Sequence, residues 1–297
     1  MGGVNNINEC EVFLKNMFND ENILGIKNKF LRYLVGFIIR KSRIKTMKAN
    51  YMQIGGKSPL TQIQTNLCNK LNAMQKEMYF DFISTYVPPF AKDVLKKYNF
   101  TTNDEIILLP LYPHHSKTTV LSSINDFKKE ISKQQIQPKI LVADVFYNHS
   151  NYNKILINKI KSQQKTDVLI VSAHSLPVSI IKKGDLYQKH INAHFEIIKN
   201  ELKNNFKEIK LAYQSKLGPV KWLEPSLKEE LEKIKEQSVL ILPISFCIDC
   251  SETVFELDKE YRKEHKGTYI VTSCPNDGDD FCNFLIQYAK NPQMSLV

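Results

Sequence analysis

One histidine sits where a chain can do proton or metal chemistry. The apolar run Asp167–Val171 is followed at once by Ser-Ala-His174-Ser-Leu-Pro177. Such a run reads as a buried strand that stops at a polar loop, so His174 falls at the carboxyl end of a strand, where open α/β sheets bind ligands. An imidazole there can titrate near neutral pH or ligate a borderline metal ion. It can equally serve as a hydrogen-bonded loop residue. A second candidate set is Glu252, Glu256, Glu260 and Glu264, spaced four apart. On an α-helix these carboxylates share one face and repel by roughly 0.2–0.5 kcal/mol per pair, a cost that a cation relay would justify. The competing reading is local: Asp249-Cys-Ser-Glu252 has the form of a capping box. Cys247-Ile-Asp-Cys250 has the spacing of a redox pair or half a metal site. Cys274 and Cys282 complete no common ligand spacing, so buried packing is the other reading.

The elements that must position these groups alternate. Strand-like runs cover 78–84, 105–111, 139–143, 167–172, 210–214, 239–246 and 268–272. Helical patterns cover 8–19, 29–51, 60–75, 91–97, 119–132, 152–161, 187–203, 227–236, 252–264 and 279–289. Repeated βα alternation predicts an α/β fold with parallel sheets flanked by helices.

Bulk composition narrows the function classes. A hydrophobic share of 42% over 297 residues supports real cores. The longest apolar stretch near the start, Tyr33–Ile39, is far too short to span a bilayer. The N-terminus lacks a basic-then-apolar secretory pattern, and six scattered cysteines make no disulfide framework. A cytoplasmic protein is expected. The net charge of +10 is uneven, because residues 22–76 contain no carboxylate but include Lys27, Arg32, Arg40, Lys41 and Arg43. Leu31, Leu34, Val35, Ile38 and Ile39 interleave with them at helical spacing. A basic amphipathic helix suits an anionic membrane, an acidic ligand or nucleic acid, and also a plain solvated face.

Three further segments join the His174 motif: Ile54-Gly-Gly-Lys-Ser-Pro59, Tyr213-Gln-Ser-Lys-Leu-Gly-Pro-Val-Lys-Trp-Leu223 and Pro243-Ile-Ser-Phe-Cys-Ile-Asp-Cys-Ser-Glu-Thr253. Together they resemble the ferrochelatase family, which inserts ferrous iron into porphyrins, and the likeness runs from Met1-Gly-Gly3 to Cys274-Pro-Asn-Asp277. The resemblance implies two doubly wound chelatase-like domains with four-stranded-type parallel sheets. Their expected extents are 1–113 and 114–274, with a C-terminal helix in 275–297 returning to the first. It implies His174 as base or first metal ligand and Glu252 as active-site carboxylate, with Glu256 joining them on the metal route. It places Met1, Tyr86, Tyr112, Trp222 and Leu223 along the porphyrin cleft. Arg43 would meet a propionate, with Ser58, Ser123 and Ser215 as hydrogen-bonding partners. Iron is substrate, and neither a resident cofactor nor an iron–sulfur cluster is expected. A monomer that contacts a membrane peripherally through the basic 27–50 segment is expected, with no nucleic-acid partner.

The chain departs from the family pattern in places. The strand that precedes the Met-Gly-Gly turn is missing, which predicts a first sheet one strand short or a start upstream of Met1. Cys250 stands where many relatives have His, and Thr85 replaces an arginine. His114 and His115, where relatives often carry Gln-Tyr, are expected at the solvent or the substrate rim. Iron insertion into protoporphyrin IX is therefore the leading function. Coproporphyrin III or another metal is the near alternative, and a non-catalytic porphyrin or haem carrier the distant one.

Overall fold

The computed structural model describes residues 1–136, 138–216 and 218–294, so Leu217 of the Tyr213–Leu223 motif lies outside the described residues. The chain divides into two compact units, one made of 1–110, 117–144 and 285–297, the other of 111–116 and 145–284.

The first unit is mainly helical. Helix α1 (Glu9–Asn19) packs on α3 (Lys29–Met52), with the short α2 (Glu21–Leu24) between them. Asp20 accepts the Asn22 N–H and Asn28 accepts the Leu31 N–H, so α2 and α3 each begin on a side-chain cap. Gly36 permits the α1–α3 crossing, since a Cβ there would lie 2.9 Å from the Phe18 carbonyl oxygen. Helices α4 (Leu60–Met74) and α5 (Ala91–Val94) follow, then strand β1 (Glu105–Leu108), helix α6 (Ser122–Ile131) and strand β2 (Lys139–Val142).

The segment 117–144, expected in the second domain, belongs to the first unit. The reason is pairing: β1 runs parallel to β2 in register Glu105↔Lys139. Ile131 and Phe127 of α6 close a core with Leu95, Ile106 and Ile140. This sheet has two strands among the described residues. The expected strand over 78–84 does not form. Asn72 reaches across instead, donating to the Phe80 carbonyl at 2.8 Å and accepting the Phe80 N–H at 2.7 Å. One amide side chain thus supplies the pair of bonds a neighbouring strand would give.

The second unit is built on a four-stranded parallel sheet of order β4-β3-β5-β6, formed by β3 (Val168–His174), β4 (Glu208–Gln214), β5 (Val239–Pro243) and β6 (Tyr269–Val271). Val168, Leu169, Ile170 and Val171 are fully buried, as a strand covered on both faces requires. Helices α7 (Ser150–Lys161), α8 (Val178–Lys182), α9 (Tyr187–Leu202) and α10 (Leu227–Lys233) connect the strands. Helix α11 (Asp279–Lys290) begins in the second unit and ends in the first.

Candidate active site

Parallel pairing brings His174 and Gln214 side by side at the ends of β3 and β4. The imidazole is half-buried, and its Nδ1 lies 2.7 Å from the Ser175 carbonyl oxygen. A carbonyl only accepts, so Nδ1 carries the hydrogen and neutral His174 presents a bare lone pair at Nε2. The Ser-Leu-Pro loop after it is tied to the Trp222 loop, with Val178 N–H bonding Lys221 O at 2.8 Å and Leu223 N–H bonding Leu176 O at 3.1 Å.

Glu256 is held by the residue after β4. Ser215, at φ +65°, turns its N–H to Oε1 at 2.6 Å and its hydroxyl to Oε2 in a short hydrogen bond. Gln214 approaches Oε2 at 3.5 Å and is itself oriented by the Ser172 hydroxyl at 2.7 Å. Burial raises the Glu256 pKa above the ordinary carboxylate range. The Ser215 hydrogen bond and the positive charge a protonated His174 carries oppose that rise, and the Glu252 carboxylate adds to it. Glu256 thus lies within reach of the charges of both His174 and Glu252.

The capping box does not form. The Asp249 carboxylate is spent on the Asn276 amide at 2.7 Å and the Cys274 N–H at 3.3 Å, while Asp249 N–H bonds Asn276 Oδ1 at 2.8 Å. Glu252 instead accepts the Ser251 hydroxyl at 2.7 Å.

The expected α-helix over 252–264 is also corrected. Glu252–Glu260 is π-helical and Tyr261–Glu264 is 3-10. Side chains intrude on its carbonyl ladder: Tyr269 donates to Leu257 O at 2.8 Å and Arg262 Nε to Asp258 O at 3.0 Å. Diverted carbonyls and a widened turn go together. The four-carboxylate stripe ends early, because Glu260 and Glu264 are exposed and Glu264 pairs with Lys228 at 3.4 Å. Among the described residues no three His, Cys, Asp or Glu side chains converge tightly enough to hold a metal ion. His174, Glu252 and Glu256 are thus not a ready-made ligand set.

The Cys247, Cys250 and Cys274 thiols are buried and neutral. Burial pushes Cys247 up to about 12 and holds Cys274 well above its ordinary range. Cys250 is raised likewise, first by burial and then by the Glu252 carboxylate with which it hydrogen-bonds. Protonated thiols in such surroundings pack as small apolar groups.

His114 is not at the solvent. It is 2% exposed, and its Nε2 lies 2.9 Å from Nδ1 of the fully buried His194. Asn153 fixes the hydrogens: its amide donates to the Tyr147 and His149 carbonyls, so its oxygen accepts from His194 Nε2 at 2.8 Å. Burial drives His114 well below its ordinary range and His194 down to about 3, keeping both neutral.

The remaining expected residues fall into both units. Tyr112 and Trp222, in the second, are half-buried, while Leu223 is buried at 3%. In the first, Tyr86 is 2% exposed, with its hydroxyl on Asp20 at 2.8 Å and its N–H on the Met1 carbonyl at 3.0 Å. Ser58 is buried and its hydroxyl accepts the Leu60 N–H at 3.3 Å. These three offer a ligand little exposed surface. Ser123 is half-buried beside Thr85 at 3.4 Å. Arg43 lies over the Phe18 ring at 5.9 Å and faces no carboxylate among the described residues; burial lowers its pKa. Sequence reasoning missed Ser172, Gln214, Tyr187 and Ser245, which hold the key groups. The polar Ser172 inside an apolar strand was the one available signal.

The sequence profile of the ferrochelatase family matches residues 1–292. A Campylobacter jejuni protein named ferrochelatase is 56% identical over 98% of this chain and 97% of its own length. The chain belongs to the ferrochelatase family. A ferrochelatase of Helicobacter pylori is 41% identical, covering 98% of this chain and 91% of its own. Among solved structures, SirB from Bacillus subtilis with Fe3+ superposes with a TM-score of 0.52 at 11% identity, covering 77% of this chain and 91% of its own. That likeness speaks to the chelatase fold shared with this ferrochelatase-family chain.

Proposed function

We propose that the protein is a lyase that inserts ferrous iron into a porphyrin dicarboxylate in haem synthesis, with protoporphyrin IX favoured over coproporphyrin III. The observation that carries this is the oriented Nε2 lone pair of His174, with the Ser215-held Glu256 carboxylate close enough to sense its charge. Metalation needs a base over the ring centre and an oxygen or nitrogen route for an ion shedding water. Nε2 can take a pyrrole proton or meet the iron first, and Glu252 can receive the proton or the ion. Glu256, fixed by Ser215, supplies negative charge behind them. Tyr112 and Trp222 provide flat apolar faces for a macrocycle. Leu223 supports those faces within the second unit. In the first unit, Arg43, a cation with no carboxylate partner among the described residues, suits a propionate, and Met1, Ser58, Tyr86 and Ser123 are its expected companions in binding the porphyrin.

Delivery from a membrane surface belongs to the same proposal. On α3, Phe30 is 79%, Tyr33 55% and Ile38 60% exposed, in a stretch of chain without carboxylates. That pairing of grease and cations fits an anionic lipid surface. No described helix is long and apolar enough to cross a membrane.

The decisive test is anaerobic, iron-dependent loss of free-porphyrin absorbance. His174→Ala should lower the rate by about 10²–10⁴-fold. An unchanged rate in the variant would remove His174 from the chemistry. Porphyrin binding without turnover by the unmodified protein would make it a carrier.

A further inference from the structure

We infer that Tyr187 and Ser245 are positioning residues, whose hydroxyls close a ring of three hydrogen bonds that fixes the main chain of His174 at the end of β3. The inference rests on the reading of His174 as the reacting group. His174 N–H lies 3.0 Å from Ser245 Oγ, Tyr187 Oη lies 2.8 Å from the His174 carbonyl oxygen, and the two hydroxyls are 2.7 Å apart.

Donor counting gives the ring a single direction. The amide can only donate, so Ser245 Oγ accepts from it. The carbonyl can only accept, so the one phenolic proton goes there. The contact between the hydroxyls must then use the Ser245 proton. Every donor in the ring has an acceptor, and no second arrangement satisfies all three contacts.

Position in the sheet explains why the ring is needed. The β3–β5 ladder ends at Ser172↔Pro243, and Ile244 N–H makes the last bond on that edge, to Ser172 O at 3.0 Å. Two residues on, the His174 N–H and C=O point toward the same edge with no strand left to meet them. Ser245, just past β5, and Tyr187, at the start of α9, stand in for that strand. On the opposite edge the main chain continues to pair, through Ser175 N–H to Gln214 O at 2.8 Å.

Tyr187 is itself tightly placed. Its N–H bonds Asp185 Oδ1 at 2.9 Å, and the other carboxylate oxygen accepts the Ser116 hydroxyl at 3.0 Å. The His114 ring meets the Tyr187 ring edge-on at 6.0 Å. The ring of hydrogen bonds therefore joins three elements at the two peptide planes that meet at the His174 Cα. The second of these planes leads into Ser175, whose carbonyl sets the imidazole orientation.

The test compares Ser245→Ala, Tyr187→Phe, the double variant, Ser245→Thr and His174→Ala for kcat, for KM toward porphyrin and iron, and for thermal melting. Losing an outer partner of a reactive imidazole costs about 10–100-fold. Each single variant should lose kcat on that scale, with the porphyrin KM unchanged. The double variant should be no worse than the poorer single one, because either change opens the same ring. Ser245→Thr, which keeps the hydroxyl, should recover most of the rate. Should Tyr187→Phe melt at the assay temperature, Ser245→Ala decides alone. Folded variants with unmodified kcat, losses that add independently, or a raised KM at constant kcat would each overturn the inference. If His174→Ala is inactive while the ring variants are normal, the ring inference alone fails. If His174→Ala is active, the reading of the site beneath it fails.

Discussion

All seven histidines lie in the second unit and none in the first, whereas the carboxylate-free run 22–76 lies wholly in the first. The scaffolds differ in the same sense. In the second unit β3 is buried from Val168 through Ala173 and is paired on both edges; in the first, β1 is at best half-buried and, among the described residues, pairs on one. A reactive group needs geometry held to a fraction of an ångström, and a central strand with its neighbours supplies that. Cations, hydroxyls and an apolar helix face tolerate looser support. Their unit accordingly relies on side-chain caps and helix packing. The division teaches that chemistry follows backbone rigidity here, and not sequence order.

Acid should separate the two units most. His194 is held near 3 against 6.5 in the unfolded chain, so the unfolded state binds the extra proton at any pH between those values. Stability is complete above about pH 6.5 and falls as pH drops toward about 3. At about pH 4.5 the loss from His194 alone is on the order of 3 kcal/mol, and His114 adds in the same direction. Amide exchange followed from about pH 7 downward should show protection in β3, α7 and α9 failing before that in α1 and α3. Equal loss in both units would contradict the neutral histidine pair. Removing the strand substitute in the first unit should do less. Asn72→Ala leaves both peptide groups of Phe80 without their partner and should cost about 1–3 kcal/mol, read in the urea midpoint. An unchanged exchange rate at the Phe80 amide would show that Asn72 holds nothing there. Least of all should Phe30→Ser with Ile38→Ser matter to folding, within about 0.5 kcal/mol per exposed site. The same pair should nonetheless release the protein from anionic vesicles, and undiminished sedimentation with those vesicles would end the lipid reading.

Local signals were legible in the sequence and distant ones were not. The apolar run ending at Ser172–His174 marked β3 and its terminus, because burial on both faces writes itself into consecutive residues. Helix α3 starts and stops within a residue of its apolar pattern. Met78–Ser84 misled because its backbone is satisfied by Asn72, and a side-chain partner leaves no periodicity behind. The carboxylate spacing looked α-helical since nothing in residues 252–264 announces that Tyr269 will take the Leu257 carbonyl. Ser215 meets Glu256 across 41 positions and His114 meets His194 across 80. Such partners are set by topology, so His114 read as a surface residue until the fold buried it. The family resemblance named Glu256, but the hydroxyls of Tyr187 and Ser245 carried no mark of their own.

The hydrogen bond from His174 Nδ1 to the Ser175 carbonyl also sets a capacity. With that nitrogen already protonated and engaged, the ring can store a single proton, on Nε2. Forming one metalloporphyrin under the proposed reaction liberates two. The imidazole must therefore empty between the first and second, or Glu252 must accept the other. If His174 is the base, as proposed, the ring takes those protons one at a time, with its tautomer acting as the counter.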